Sequence, residues 1–476
     1  MDEETLSFAR DFQRFMRQMS EASFADATSP FRELLQEHLG VDPRSLPVLS
    51  SGFPPYDHIN VQVAMSAYQA EPPRSTRLIG LTGQQRHFAT LSDLIETAHY
   101  TGIAVGAPDL VELPVGPQET LSCVQFGIHL IADGSDPFVV LMRGPTDHSP
   151  QQGVSLEVLA PNEQKGKTFL TDIRRLMIEL NVFRGQVLSF GESPMGHIGV
   201  GPVTFIPRPN LARDELVLPD GILETVELHA LGIAEHRDRL LASGQHVKRG
   251  LLLHGPPGTG KTLTVRYVMG RAQTHTVVLL AGGALHMIRV ATGLARMLQP
   301  ALVVMEDVDL VAEHRGMGPF GNPVLFDVLN ELDGLAEDAD VAFILTTNRA
   351  DRLEPALASR PGRVDLAVEI PLPAEDERRR LIALYSRGLD LDVADLGRVI
   401  EQTAETPASF IKELLRKAAL RAANARQGVG RITVTDEDLH RALDELLSER
   451  NTLTRALLGG EQTRGPLGPD GLFSQF

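Results

Sequence analysis

One stretch of the 476-residue chain has the residue types and the spacing of a phosphate-binding loop. The apolar segment 249–254 runs directly into Gly-Pro-Pro-Gly-Thr-Gly-Lys-Thr at 255–262, which satisfies the pattern G-x-x-x-x-G-K-[ST]. The glycines allow the backbone to approach a phosphate closely, and the unpaired amides of a following helix can donate to it. Lys261 adds a positive charge for the β and γ phosphates of ATP, and the Thr262 hydroxyl can ligate Mg²⁺. The predicted nucleotide-binding residues are Gly255, Pro256, Pro257, Gly258, Thr259, Gly260, Lys261 and Thr262. A Gly-Pro turn without a ligand is the alternative.

Carboxylates follow another apolar segment further along the chain. Residues 301–305, Ala-Leu-Val-Val-Met, run into Glu306, Asp307 and Asp309. The carboxyl ends of the strands in a parallel α/β sheet form the edge where ligands bind. A nucleotide site also needs carboxylates to orient Mg²⁺ and to direct a water at the γ-phosphorus. We therefore expect these carboxylates beside the phosphate-binding loop, with a solvated strand end as the alternative.

The elements that must position these residues follow from the pattern after Pro219, where short apolar segments alternate with helical ones. This alternation is typical of a parallel sheet covered on both faces. The predicted strands are 251–254, 276–280, 301–305, 341–346 and 366–370. Between 375 and 450 helical patterns dominate and no strand is predicted. The Gly- and Pro-rich end, 453–476, is expected to be a flexible tail.

The first part of the chain predicts different elements. Apolar residues at helical spacing between Glu4 and Met19 indicate a short helix, and we assign 1–55 to a helical segment and a linker. Residues 56–215 read as a mixed α/β domain of unknown role, in which the alternation of apolar residues from Ile59 to Met65 predicts a strand. Further strands are expected at 77–81, 121–131, 138–142, 154–159, 186–190 and 203–206, with a helix at 168–180.

Composition limits the class of protein. With 42% hydrophobic and 22% charged residues the chain is an ordinary globular protein. The formal net charge of −17 disfavours nucleic acid as a partner. No apolar run approaches the roughly 18 residues of a membrane span, so we expect a cytoplasmic protein without a membrane partner. The single cysteine, Cys123, excludes an intramolecular disulfide and is expected in a core strand.

Taken together, these motifs resemble the AAA ATPases, in the narrow sense within the AAA+ class. The resemblance covers about 221–450. Besides the loop and the acidic strand end, it is carried by Asn330-Glu-Leu-Asp-Gly334, Thr346-Thr-Asn-Arg349 and the segment 354–365, Glu-Pro-Ala-Leu-Ala-Ser-Arg-Pro-Gly-Arg-Val-Asp. It implies a doubly wound parallel-sheet P-loop NTPase core at 216–373, preceded by the separate N-terminal domain. It also implies a helical lid subdomain at 374–452 and a homo-oligomeric ring, by default a hexamer.

The resemblance also implies roles for individual residues. Asn348 resembles the family's first sensor, which positions the attacking water. Arg360 and Arg363 resemble the arginine fingers, which stabilise charge on the transferred phosphoryl group of a neighbouring protomer. Surface salt bridges within one protomer are the alternative for both arginines.

One departure from the family concerns the acidic strand end. The family ends this strand Asp-Glu, with Asp organising the metal and Glu polarising the water, whereas this chain has Glu306-Asp307. Glu306 would therefore organise Mg²⁺ with Thr262, and the shorter Asp307 would polarise the water. Because its reach is reduced, we expect slow hydrolysis.

A second departure lies between Gly282 and Pro300, where threading relatives carry an aromatic pore loop and this chain has no aromatic residue. The sequence therefore favours an oligomeric ATPase that remodels a protein client chosen by the N-terminal region, with threading in doubt. The first alternative is an ATP-dependent assembly switch with little hydrolysis. A nucleic-acid motor is a third and weaker hypothesis.

Overall fold

The structure is a computed structural model, and it describes 14, 29–83, 86, 88–97, 103–134, 136–146, 153–190, 203–309, 327, 330–331, 333–350, 364–426 and 430–448. The chain divides into two compact units. The first consists of Met1–Val182 and Gly191–Phe205, and the second of Phe183–Phe190 and Ile206–Phe476. The predicted helix near the N-terminus, apart from Arg14, and the predicted tail 453–476 lie outside the described residues.

The first unit is built on a seven-stranded sheet whose assigned pairings are all antiparallel. Its strands are Val48–Phe53, Arg74–Leu81, Val105–Gly106, Asp109–Pro114, Thr120–Asp133, Asp136–Arg143 and Val154–Leu159. Its helices are Pro30–Leu39, His58–Ala70, Leu91–Thr97 and Glu163–Glu179. Phe138 lies in a core cluster with residues of the second and fourth helices, and Phe126 in one with residues of the first and third. The sheet is therefore covered on both faces. Cys123 is buried in its longest strand, as predicted.

Two predictions for this unit are wrong. The segment from Ile59 to Met65 is not a strand but part of the helix His58–Ala70. Because most of this helix is buried around its whole circumference, its apolar residues do not form a stripe at a period of 3.6. The predicted linker contains the strand Val48–Phe53, which pairs with Val154–Leu159.

The second unit contains the predicted parallel sheet. Its strands, in spatial order, are Leu366–Glu369, Arg249–His254, Val341–Thr347, Ala301–Glu306, Thr276–Ala281, Val187–Phe190 and Val203–Ile206. The five strands predicted after Pro219 are confirmed, and in all of them except the edge strand Leu366–Glu369 nearly all inner residues are buried. Two strands differ from the prediction, because Val187–Phe190, which pairs parallel with Thr276–Ala281, and Val203–Ile206 both belong to this sheet rather than to a sheet of the N-terminal domain. A short apolar strand carries no local signal of the sheet that it joins.

Helices flank this sheet and continue beyond it. The main ones are Ile222–Glu227, Arg237–Ala242, Lys261–Arg271, Ile288–Met297, Glu375–Tyr385, Gly397–Gln402, Ala408–Ala425 and Asp436–Leu447. The last four share a separate hydrophobic cluster that includes Phe410, Leu414 and Leu439. The expectation of no strand here is wrong, since Leu389–Asp392 and Ile432–Thr435 form a parallel pair. Among the described residues, no helix has the length and apolarity needed to cross a membrane.

Candidate nucleotide-binding site

The phosphate-binding loop leaves the strand Arg249–His254 at a point where only glycine fits. Gly255 has a φ of 139°, and a Cβ built on it would lie 2.2 Å from the Ile370 carbonyl oxygen. Gly258 and Gly260 also have positive φ values, 77° and 116°. The glycine spacing seen in the sequence is therefore required by the backbone path. The path brings the loop to the start of the helix Lys261–Arg271, whose N-terminus has no side-chain cap.

Lys261 lies buried within this loop. Its Nζ donates to the carbonyl oxygens of Gly255 and Pro256, each at 2.8 Å. Burial lowers the pKa of Lys261 to about 8, an effect opposed by the nearby carboxylates of Asp307 and Asp309. The ammonium group thus has only neutral oxygens as hydrogen-bond partners within the loop. An anionic phosphate would be a stronger partner than either carbonyl.

The two carboxylates at the end of the strand Ala301–Glu306 have different surroundings. The Thr262 hydroxyl donates a hydrogen bond to Glu306, and burial raises the pKa of this glutamate. Asp307 follows with a φ of 51°, in the left-handed region, and burial together with the charge of Asp309 raises its pKa. The structure therefore pairs Glu306 with the loop hydroxyl and places Asp307 on the cavity described below.

Asn348 follows the strand Val341–Thr347, which lies between the loop strand and the acidic strand in the sheet. Its side-chain Nδ2 donates to Asp307 Oδ1 at 3.3 Å. The structure thus brings together three residues predicted from separate motifs, Lys261, Asp307 and Asn348, on one cavity. Arg360 and Arg363 lie outside the described residues, so their roles stay predictions.

The cavity has a volume of about 420 Å³ and extends from the loop to the C-terminal helices. On its far side, sequence reasoning missed Leu216, Val217, Leu381, Tyr385, Ser409 and Lys412. Ser409 donates its backbone N–H to Gly258 O at 3.1 Å, which joins the helix Ala408–Ala425 to the loop. These residues come from three distant segments without a shared motif.

The residues near the loop fit a magnesium ion that is held jointly with phosphates. Thr262 and Glu306 supply oxygen donors, the type that Mg²⁺ prefers. Within the described part of the chain, no group of three or more His, Cys, Asp or Glu side chains could hold a metal alone.

Fold and site together define a P-loop protein with a parallel α/β sheet. Residues 251–372 match the family described as "ATPase family associated with various cellular activities (AAA)". An AAA-family ATPase domain is therefore recognised over this segment.

Curated relatives agree with this recognition. The chain is 31% identical over 226 residues to the ATP-dependent zinc metalloprotease FtsH of Mesoplasma florum, which covers 45% of this chain and 34% of that protein. It is 33% identical over 275 residues to FtsH 3 of Sphaerobacter thermophilus, which covers 55% and 54%. It is 31% identical over 254 residues to the 26S proteasome regulatory subunit 8 of Caenorhabditis elegans, which covers 50% and 59%. The matches thus span about a third to three fifths of these relatives.

Proposed function

We propose that this protein is a Mg²⁺-dependent ATPase that assembles into a homo-oligomeric ring and uses ATP hydrolysis to remodel a protein client. The ATPase proposal rests on one observation: Lys261, Asp307 and Asn348 line the same cavity, next to the glycine-rich phosphate-binding loop. The AAA match at 251–372 supports the same activity. Relatives named as an ATP-dependent protease and as a proteasome subunit support a protein as the client.

The residues have distinct roles in the proposed reaction. The loop amides and Lys261 bind the β and γ phosphates. Thr262 and Glu306 would hold Mg²⁺, which neutralises phosphate charge when bound. Asp307 accepts the proton of the attacking water, and Asn348, which already contacts Asp307, orients that water. The far side of the cavity, with Leu216, Val217 and Tyr385 among its residues, would receive the base.

The order of the two acidic residues leads us to propose slow turnover. Asp307 is one methylene shorter than the glutamate that the family has at this position. A displacement of about 1 Å in a reacting group can lower a rate about 100-fold. Because both carboxylates remain, we expect a reduced rate and not its loss.

Oligomerisation enters the proposal through Arg360 and Arg363. Acting on the nucleotide of an adjacent protomer, such arginines contribute about 10³ to 10⁵ in rate. We expect a hexamer with cytoplasmic location, whose N-terminal region binds the client. Nucleic acid is a poor partner for a chain of net charge −17.

A pair of loop variants tests nucleotide binding. Calorimetric titration with Mg-ATP should show that Lys261→Ala lowers affinity at least tenfold, because a buried charge-assisted contact is lost. Lys417→Ala is the matched control, since Lys417 is ion-paired with Glu445 away from the cavity. Equal affinities for the two variants would contradict the proposed site.

A mixing experiment tests the action of the arginines between protomers. The variant Lys261→Ala keeps both arginines but has an impaired nucleotide-binding site. The double variant Arg360→Ala/Arg363→Ala keeps the nucleotide-binding site but has no arginine to act on a neighbouring protomer. Each variant alone should be nearly inactive, and their mixture should regain phosphate release as mixed oligomers form. No recovery in a mixture that is shown to co-assemble would exclude action in trans.

The Glu306-Asp307 order also favours a second candidate, an assembly switch that binds ATP without appreciable turnover. Phosphate release at several protein concentrations separates the two functions. The ATPase proposal predicts that phosphate release per protomer rises as the protein assembles. The switch predicts ATP-dependent assembly without appreciable phosphate release. Proteins that co-purify with Asp307→Asn but not with wild type would identify the client.

A further inference from the structure

Asp309 lies two residues beyond the proposed water-activating residue and is nearly fully buried, with 5% of its surface exposed. Its Oδ1 accepts two hydrogen bonds from the end of the strand Val341–Thr347. The Thr347 hydroxyl donates at 2.9 Å, and the backbone N–H of Asn348 donates at 3.3 Å. One buried carboxylate oxygen thus binds both the proposed sensor, Asn348, and the residue before it.

The sheet itself does not fix Asn348. Pairing with the acidic strand ends at Met305 and Leu345, and pairing with the strand Arg249–His254 ends at His254 and Thr347, so Asn348 lies just beyond both ladders. Beyond this point the turn after the acidic strand supplies the contacts. The N–H of Asp307 donates to Thr346 Oγ1 at 2.9 Å, and the N–H of Val308 donates to Thr346 O at 3.1 Å.

These bonds form a continuous network from the turn to the sensor. Thr347 Oγ1 also accepts the N–H of Arg349 at 2.9 Å, so its hydroxyl hydrogen is directed to Asp309. Asn348 then reaches back to Asp307 with its side chain at 3.3 Å. The backbone N–H and the side-chain amide of Asn348 are therefore both bonded to the acidic turn.

We propose that Asp309 is a positioning residue for ATP hydrolysis, which holds the Thr347–Asn348 backbone so that the Asn348 amide stays on Asp307. This inference rests on the proposed function, and it adds a residue that touches neither water nor nucleotide. Without the acceptor, the Asn348 N–H and the Thr347 hydroxyl lose their partner, and Asn348 can shift relative to Asp307. A shift of about 1 Å lowers the rate about 100-fold without changing phosphate binding.

Two substitutions at this position separate the acceptor from the charge. Asp309→Asn keeps an oxygen at the Oδ1 position, so we expect kcat within about threefold of wild type. Asp309→Leu keeps the branching at Cγ and has no acceptor, and we expect kcat to fall about 10- to 100-fold with KM within about threefold. Rescue by Asn and a loss confined to kcat distinguish positioning from a general structural role.

The matched control is Asp438→Leu, which removes another buried carboxylate with donors of its own, far from the cavity in sequence. All variants are assayed at a temperature where circular dichroism shows them folded. Asp438→Leu should retain wild-type kcat. The proposal is overturned if Asp309→Leu retains wild-type kcat, or if its kcat falls no further than that of Asp438→Leu. It is also overturned if KM rises by as large a factor as kcat falls.

Hydrogen–deuterium exchange provides a readout that does not depend on turnover. Asp309→Leu should speed exchange at the Asn348 amide at least tenfold, and Asp309→Asn should leave it close to wild type. Unchanged exchange in Asp309→Leu would refute the positioning contact even if the protein hydrolyses ATP. Absence of turnover in wild type, with faster exchange in Asp309→Leu, would instead refute the proposed function and keep the contact.

Discussion

The buried ion pair between Arg249 and Asp340 gives the sharpest prediction about stability. Their side chains are 1% and 5% exposed, and Arg249 Nη1 donates to Asp340 Oδ1 at 2.8 Å. The same guanidinium donates to Val247 O and, from two nitrogens, to Ala230 O. Arg249, at the start of the strand Arg249–His254, is thus joined to Asp340, which directly precedes the strand Val341–Thr347. Arg249→Met would leave a carboxylate buried without its cation.

The expected magnitude follows from this burial. Removing one partner of a buried pair costs about 3 to 5 kcal/mol, because the remaining charge is uncompensated. The double variant Arg249→Met/Asp340→Leu removes both charges and should recover most of that loss. It should remain about 1 to 2 kcal/mol below wild type, since the carbonyls of Ala230 and Val247 lose their donor.

Urea denaturation of the full-length chain, followed by far-ultraviolet circular dichroism, measures these differences in unfolding free energy. The transition to compare is that of the unit containing 206–476. Arg379→Met is the control, because its pair with Glu375 is 53% and 62% exposed and should cost less than about 1 kcal/mol. The reasoning would be refuted if Arg249→Met lowered the unfolding free energy by less than Arg379→Met does. It would also be refuted if Arg249→Met/Asp340→Leu were less stable than Arg249→Met.

Three further perturbations test the site and the first unit. Gly255→Ala should reduce Mg-ATP binding below detection in calorimetry, because its Cβ would lie 2.2 Å from Ile370 O at a φ of 139°; a folded variant that binds normally would contradict this. Burial raises the pKa of Asp57 to about 6, above its unfolded value, while the Asn60 side chain donates to its carboxylate. The contribution of Asp57 to the unfolding free energy is therefore fully present below its unfolded pKa and is lost as the pH rises through about 6. Asp57→Asn does not lose this contribution, so the unfolding free energy of the variant relative to wild type should rise by up to about 3 kcal/mol between about pH 3 and pH 8 in urea titrations. A gain independent of pH would exclude this cause. Lys412→Ala should weaken ADP and adenosine binding by a similar factor of about threefold or less, because the exposed Lys412 lies on the side of the cavity that is proposed to receive the base; a loss for ADP alone would instead point to a contact with the phosphates.

The parts of the site that could be predicted are those whose chemistry is local in sequence. The loop requires three glycines, a lysine and a hydroxyl within eight residues, and each has a physical reason that a pattern captures. The same holds for the five parallel strands, which are short apolar runs bounded by turns. Asn348 is predicted through the resemblance of Thr346-Thr-Asn-Arg349 to a motif of the AAA ATPases, which is again local in sequence.

The parts that could not be predicted depend on distant segments. The far side of the cavity combines Leu216, Tyr385 and Ser409 from three regions, and no spacing relates them. The strand Val187–Phe190 joins a sheet whose neighbouring strand lies almost ninety residues later. Helix His58–Ala70 was missed for a different reason, because burial on all sides removes the periodicity that reveals a helix.

The inverted order of Glu306 and Asp307 can be explained by the backbone. Asp307 has a φ of 51°, a conformation that costs most L-residues of order 1 to 2 kcal/mol and that Asp adopts more readily than most side chains. Glu306 ends the strand in extended conformation, where a longer side chain is unstrained and can accept from Thr262. The order therefore matches each side chain to the backbone that it occupies. Asp307 in turn accepts from the Asn348 side chain, and Asp309 accepts from the Asn348 backbone, so the proposed turnover should depend on this network as well as on the reach of the Asp307 carboxylate.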